Sequence, residues 1–302
     1  MVSSTRYSWQ LLRAGPLRLD GGSMFGVVPR VLWSKLAAID DRNRIELAHN
    51  CLLLTHVGQP IIKVLIETGS GNKFDSKTRD IFGLSDYAVH DALREVQVEA
   101  IQISQVIVSH LHFDHAGGVT RRSDDGVSIT FPNAPIYVQK REWDDANANN
   151  SVMTRTYLRE NLDPIRDRVK LIESSPPYPI GHVPQKDESP HSRAIDRLTE
   201  ILPGIFSLLV PGHTWGQQAI LFTDDSNRTV VFTPDVMPTA NHLGAAYNMA
   251  YDVEPYVSTN TRRWFLQAAV ENNWTLVLDH EPGNPVRKVE PEASGWFKLI
   301  NT

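Results

Sequence analysis

The chain has one cysteine among 302 residues, so no intrachain disulfide can form. That residue, Cys51, lies in the apolar run Cys51-Leu52-Leu53-Leu54 and is expected to be a small core residue of a reducing compartment. No apolar stretch approaches the ~18 residues of a membrane span. The opening segment MVSSTRYSWQLLRAG has no apolar core of signal-peptide length. A cytoplasmic protein with no membrane partner is expected. Positive charge is scarce too: 30 Lys and Arg against 35 Asp and Glu give a net charge of −5. Phosphate contacts need clustered cations, which argues against a nucleic-acid partner. No internal repeat excludes a solenoid, and no Gly-x-Ser-x-Gly elbow points to a serine nucleophile.

What remains is ordinary globular composition, 41% apolar and 22% charged. Short β-branched apolar runs predict strands at Cys51–Leu54, Ile61–Glu67, Gln105–Ser109, Ile136–Gln139, Ile205–Val210, Ala219–Thr223, Thr229–Thr233 and Thr275–Asp279. Helical spacing falls on Asp86–Val96, where Val89, Leu93 and Val96 form one stripe, and on Asn260–Val270. Strands mixed with helices along the whole length indicate a single α/β domain over 1–302. The stretch 144–192 breaks the rhythm with Asp, Asn and, within 174–190, five prolines, and reads as an insertion or cap. Within it Thr154–Ile172 reads as helical, with a break at Pro164.

The strongest chemical signal is Ser109-His110-Leu111-His112-Phe113-Asp114-His115-Ala116-Gly117-Gly118, directly after the apolar run Val106–Val108. Alternate side chains of an extended segment share a side, which pairs His110 with His112. Asp114 and His115 then turn away, and two glycines allow a tight backbone. Imidazole and carboxylate suit zinc and other first-row metals, and four such groups buried without an ion would carry a desolvation cost. His213, Asp235 and His280 each follow a later apolar strand, the same context repeated three times.

This order of motifs, His-x-His-x-Asp-His, then Gly-His-Thr, then an Asp and a His each after a strand, resembles the metallo-β-lactamase superfamily. The resemblance runs from about Leu52 to His280 and implies a four-layer αββα sandwich. It implies two divalent ions, zinc first, with Mn, Fe or Co as alternatives. His110, His112 and His213 would hold one, Asp114, His115 and His280 the other, and Asp235 would bridge them.

The N-terminal Leu19-Asp20-Gly21-Gly22-Ser23-Met24-Phe25-Gly26-Val27-Val28-Pro29, followed by Trp33, resembles the N-acyl-homoserine lactone lactonase branch, shared with methyl parathion hydrolase-like enzymes. That branch implies a small-molecule lactone or ester substrate, a homodimer by analogy, and attack by a bridging hydroxide with Asp114 or Asp235 moving the proton. Phosphotriesters, aryl esters and thioesters are alternative substrates, and a non-catalytic metal-binding module is the alternative outside enzymes. Met24, Phe25 and Trp33 are carried as pocket residues. Two departures stand out. Pro238 occupies the place where several such lactonases carry a substrate-contacting tyrosine, leaving His242, Tyr247 or Tyr251 as replacement donors. Glu67-Thr68-Gly69 replaces the frequent Asp-Thr-Gly, with Glu67 expected behind a ligand histidine.

Overall fold

The computed structural model describes residues 5–148, 155–179, 182, 185, 188, 190 and 192–302. The strands in chain order are β1 (Tyr7–Asp20), β2 (Arg44–His56), β3 (Lys63–Ile66), β4 (Gln105–Ile107), β5 (Thr120–Ser123), β6 (Gly126–Ile129), β7 (Ile136–Gln139) and β8 (Val169–Ile172). They continue with β9 (Thr199–Leu202), β10 (Ile205–Leu209), β11 (Gln218–Thr223), β12 (Thr229–Thr233), β13 (Thr275–Leu278), β14 (Val286–Pro291) and β15 (Phe297–Asn301). One sheet has the order β1-β2-β3-β4-β7-β8, the other β15-β14-β13-β12-β11-β10-β9, and β5-β6 is a separate hairpin.

Period-two alternation builds the layers. Leu52 and Leu54 of β2, Ile66 of β3, Val230 and Phe232 of β12 and Val277 of β13 meet between the sheets. Their neighbours point outward. Leu53 and Leu65 pack with Val89 and Leu93 of the helix Val89–Glu95. Val231, Leu276 and Leu278 pack with Trp264, Phe265 and Leu266 of the helix Pro255–Glu271. Helix, sheet, sheet, helix is the four-layer order of the metallo-β-lactamase fold. Cys51 is fully buried on the outer face of the first sheet.

Each expected strand is present, Ile136–Gln139 and Thr229–Thr233 with the expected bounds and the others with shifted ends. The helical reading of Thr154–Ile172 does not hold. Among the described residues, only Arg159–Leu162 is α-helical, and Val169–Ile172 is β8, paired in parallel with β7. Its Val-Lys-Leu-Ile side chains fit an edge strand as well as a helix end, and the long-range pairing decides. Tyr157, Leu162 and Ile165 enter the first sheet's core. Thr154 and much of 180–191 lie outside the described residues.

Candidate metal centre

Five strands deliver the site from their C-terminal ends. β3 leads to Glu67, β4 to His110–His115, and β10, β12 and β13 to His213, Asp235 and Asp279-His280. The pairs β3–β4 and β12–β13 are parallel, so each pair opens toward the same edge. Backbone bonds lock the two edges together: Gln218 N–H donates to Ser109 O at 3.0 Å, and Asn50 N–H to Asp279 O at 3.0 Å. Close backbone approach at the motif needs glycine. A Cβ on Gly117 would lie 2.1 Å from Ser70 O, and one on Gly118 2.1 Å from Thr68 O.

All seven expected ligands are buried. His110, His112 and His213 bring one nitrogen each into a first group. His213 Nε2 and His112 Nδ1 face each other at 3.0 Å. A second group gathers His115, Asp235, Asp279 and His280, with His115 Nε2 and His280 Nε2 at 3.3 Å. Asp235 stands between the groups. Its Oδ2 lies 3.1 Å from His213 Nε2 and 4.0 Å from His110 Nε2, its Oδ1 3.3 Å from His280 Nε2. Asp114 is set slightly apart, its oxygens 3.7 Å from His115 Nε2 and from His280 Nε2.

These separations fit a cation. Two nitrogens each ~2.0–2.1 Å from one tetrahedral zinc lie roughly 3.3 Å apart. Buried inward atoms without a hydrogen-bond partner, including His110 Nε2 and Asp235 Oδ1, also await an electrophile. Three outer nitrogens are already engaged. His110 Nδ1 meets Ser109 Oγ at 2.9 Å, His213 Nδ1 meets Asp252 Oδ1 at 2.9 Å, and His280 Nδ1 meets Ala48 O at 2.8 Å. His115 Nδ1 makes no aligned hydrogen bond, but two carboxylates flank it, Asp279 Oδ2 at 2.9 Å and Glu67 Oε2 at 3.3 Å. Such outer partners fix the tautomer and leave the inner lone pair for a metal. Asp279 thus stands beside His115 Nδ1 and also within the second group of candidate ligands.

The electrostatics follow the same division. Burial, then the neighbouring histidines, press His110 and His112 well below the usual imidazole range. Burial also opposes charge on His115, but Asp279, Asp114 and Asp235 outweigh it and hold His115 well above that range. Burial lowers and Asp235 raises His213, with a net rise. For His280, Asp279 and Asp235 likewise overcome burial. Burial would raise Asp235, yet His213, His280 and His115 hold it far below the usual carboxylate range.

Glu67 has φ 68°, a left-handed backbone that costs a non-glycine residue about 1 kcal/mol or more. That conformation aims its carboxylate at Ser109 N–H and toward His115.

A cleft of ≈ 370 Å³ opens onto the site, with His112, Asp114, His213, Asp235 and His280 on its floor. Its walls include Leu19, Met24, Phe82, Phe113, Met249 and Tyr251. Of the expected pocket residues only Met24 lies on this wall. Phe25 is fully buried between Trp33, stacked at 5.3 Å, and His242, stacked at 5.0 Å. Both His242 nitrogens are used, Nδ1 on Thr239 Oγ1 at 2.8 Å and Nε2 on Met24 O at 2.9 Å. Phe25, Trp33 and His242 thus back the wall from the core side. Pro238 is buried, while Tyr251 reaches the cleft. Sequence reasoning missed Asp279 and Asp252. Asp279 had a signal, since it adjoins His280 at a strand end. Asp252 had a weaker one, the segment Tyr251-Asp252 that looks familiar from the lactonase branch, but only folding brings it to His213.

The Metallo-beta-lactamase superfamily model matches residues 44–280. An N-acyl homoserine lactonase of Bacillus sp is 30% identical over 151 residues, covering 50% of this chain and 45% of that protein. The N-acyl homoserine lactonase AttM of Rhizobium radiobacter is 22% identical over 65% of each chain. The matched regions thus span about half to two thirds of these relatives. A probable metal-dependent hydrolase from Staphylococcus aureus superposes with TM-score 0.77 at 25% identity, covering 100% of this chain and 99% of the other. AidC, a dizinc quorum-quenching lactonase, superposes with TM-score 0.72 at 17% identity, covering 100% and 98%. With the fold, the motif order and a match over most of its length in agreement, the chain belongs to the metallo-β-lactamase superfamily.

Proposed function

We propose that the protein is a dinuclear metal-dependent hydrolase that opens lactone rings of the N-acyl-homoserine lactone type. The observation that carries this reading is Asp235, whose two oxygens face two separate groups of buried ligands beneath an apolar cleft. His110, His112 and His213 would hold one ion, and Asp114, His115 and His280 the other, with Asp235 between. Divalent ions bound there supply a Lewis acid and lower the pKa of water from ~15.7 to ~7. Zinc suits the nitrogen and carboxylate donors.

The chain's own groups do the rest. Leu19, Met24, Phe82 and Met249 offer an apolar wall for an acyl chain and keep water from the reacting ester. Asp114 or Asp235, both lining the cleft, would carry a proton to the departing alkoxide oxygen. Tyr251 supplies the hydroxyl that Pro238 cannot, and orients the substrate. The similarity to lactonases supports the substrate class.

The test combines metal analysis of the purified protein with a panel of lactones, aryl esters and phosphotriesters. Two divalent ions per chain and fastest turnover of N-acyl-homoserine lactones are expected. Efficient turnover of a phosphotriester alone would displace the lactonase reading.

A further inference from the structure

The helix Lys140–Ala148 carries a carboxylate that the scheme above leaves unused. Glu142 is completely buried. Its Oε1 accepts from Leu111 N–H at 3.0 Å and from Tyr157 Oη–H at 3.1 Å, and its Oε2 accepts from Thr214 Oγ1–H at 2.6 Å. Leu111 lies between His110 and His112, and Thr214 follows His213. One side chain therefore spans both loops that supply the first ligand group. The backbone of Glu142 packs closely on Gly216, where a Cβ would lie only 2.3 Å from Glu142 N. The second group has different supports, Glu67 and Asp279 behind His115.

We infer that Glu142 is a positioning residue dedicated to the first metal position, the clamp that sets the His110–His112–His213 triad at ligand spacing. This rests on the dinuclear reading. The clamp acts through backbone and hydroxyl donors and touches neither ion nor substrate. Deleting it frees two loops to move relative to each other, so the first position suffers and the second does not.

The experiment is cobalt(II) titration of metal-depleted protein, followed by visible absorption. His112→Ala marks loss at the first position and His280→Ala loss at the second. The unaltered protein binds two cobalt ions. Glu142→Ala binds the first-position ion about 10–100-fold more weakly, the range for lost outer support, and keeps its second-position affinity. Glu142→Gln retains an acceptor and the volume, and recovers most of the loss. Tyr157→Phe and Thr214→Val each remove one anchor and give smaller losses at the same position, which keeps the test decisive if Glu142→Ala fails to fold. In the metal-free state, the Leu111 amide exchanges slowly in the unaltered protein and faster in Glu142→Ala. Equal weakening of both positions, or unchanged cobalt affinity, would overturn the clamp while leaving a two-ion centre. Fewer than two cobalt ions in the unaltered protein would overturn both readings.

Discussion

At the scale of single residues, the centre depends on carboxylates that sit behind histidines as much as on the ligands. Asp279→Asn removes the charge 2.9 Å from His115 Nδ1. It is expected to weaken metal binding about 10–100-fold with the fold retained, read by chelator competition and circular dichroism. Asp235→Ala or His115→Ala should bring the metal stoichiometry below two and abolish most turnover. Retention of two ions in either variant would contradict the ligand assignment.

His242 gives a separate prediction about acid. Burial holds its pKa at about 4, its bond to Met24 O only partly opposing this. The unfolded chain titrates near ~6.5. Stability is full above ~6.5 and falls as pH drops toward 4, because the unfolded state then binds more protons. The loss reaches about 3 kcal/mol by pH 4. Thermal melts of metal-free protein should fall over this range, and less steeply in His242→Asn.

At the scale of elements, burial decides which changes matter. Phe232, fully buried between the sheets, should cost about 3–5 kcal/mol as Phe232→Ala. Ile101 is 59% exposed, and Ile101→Ala should stay within about 0.5 kcal/mol. Urea denaturation with an unchanged m-value checks both.

The same contrast explains what the sequence could convey. Strands buried on both faces, such as Thr229–Thr233 and Thr275–Leu278, are continuous apolar runs that announce themselves. Half-buried edge strands do not. Tyr7–Asp20 alternates irregularly and contains Gly15-Pro16, which reads as a break. The chain accommodates it by a register shift between Arg13 and Pro16. The terminal pair Val286–Pro291 and Phe297–Asn301 is similarly mixed in polarity. Metal-ligand candidates were legible because they cluster or end a strand. Glu142-Trp143 and Tyr251-Asp252 are family-like segments in the sequence, but their roles were not legible, because each carboxylate meets its partner across a long loop or another element.

At the scale of the whole molecule, folding draws seven ionisable candidate ligands out of water. Metal binding and stability are therefore linked. Zinc at about 100 times its dissociation constant should stabilise each site by about 2.7 kcal/mol, seen as a rise in melting temperature that a chelator reverses. His115, His213 and His280 hold protons above the usual imidazole range in the metal-free chain. Metal must displace those protons, so apparent affinity should fall as pH is lowered. Calorimetry in buffers of different ionisation enthalpy counts the protons released.

The most direct measurement titrates zinc into metal-depleted protein while recording acid release from an N-acyl-homoserine lactone. The rate should climb until two equivalents are bound and then level off. Full activity without metal, saturation at one equivalent, or no lactone opening with both positions filled would contradict the account.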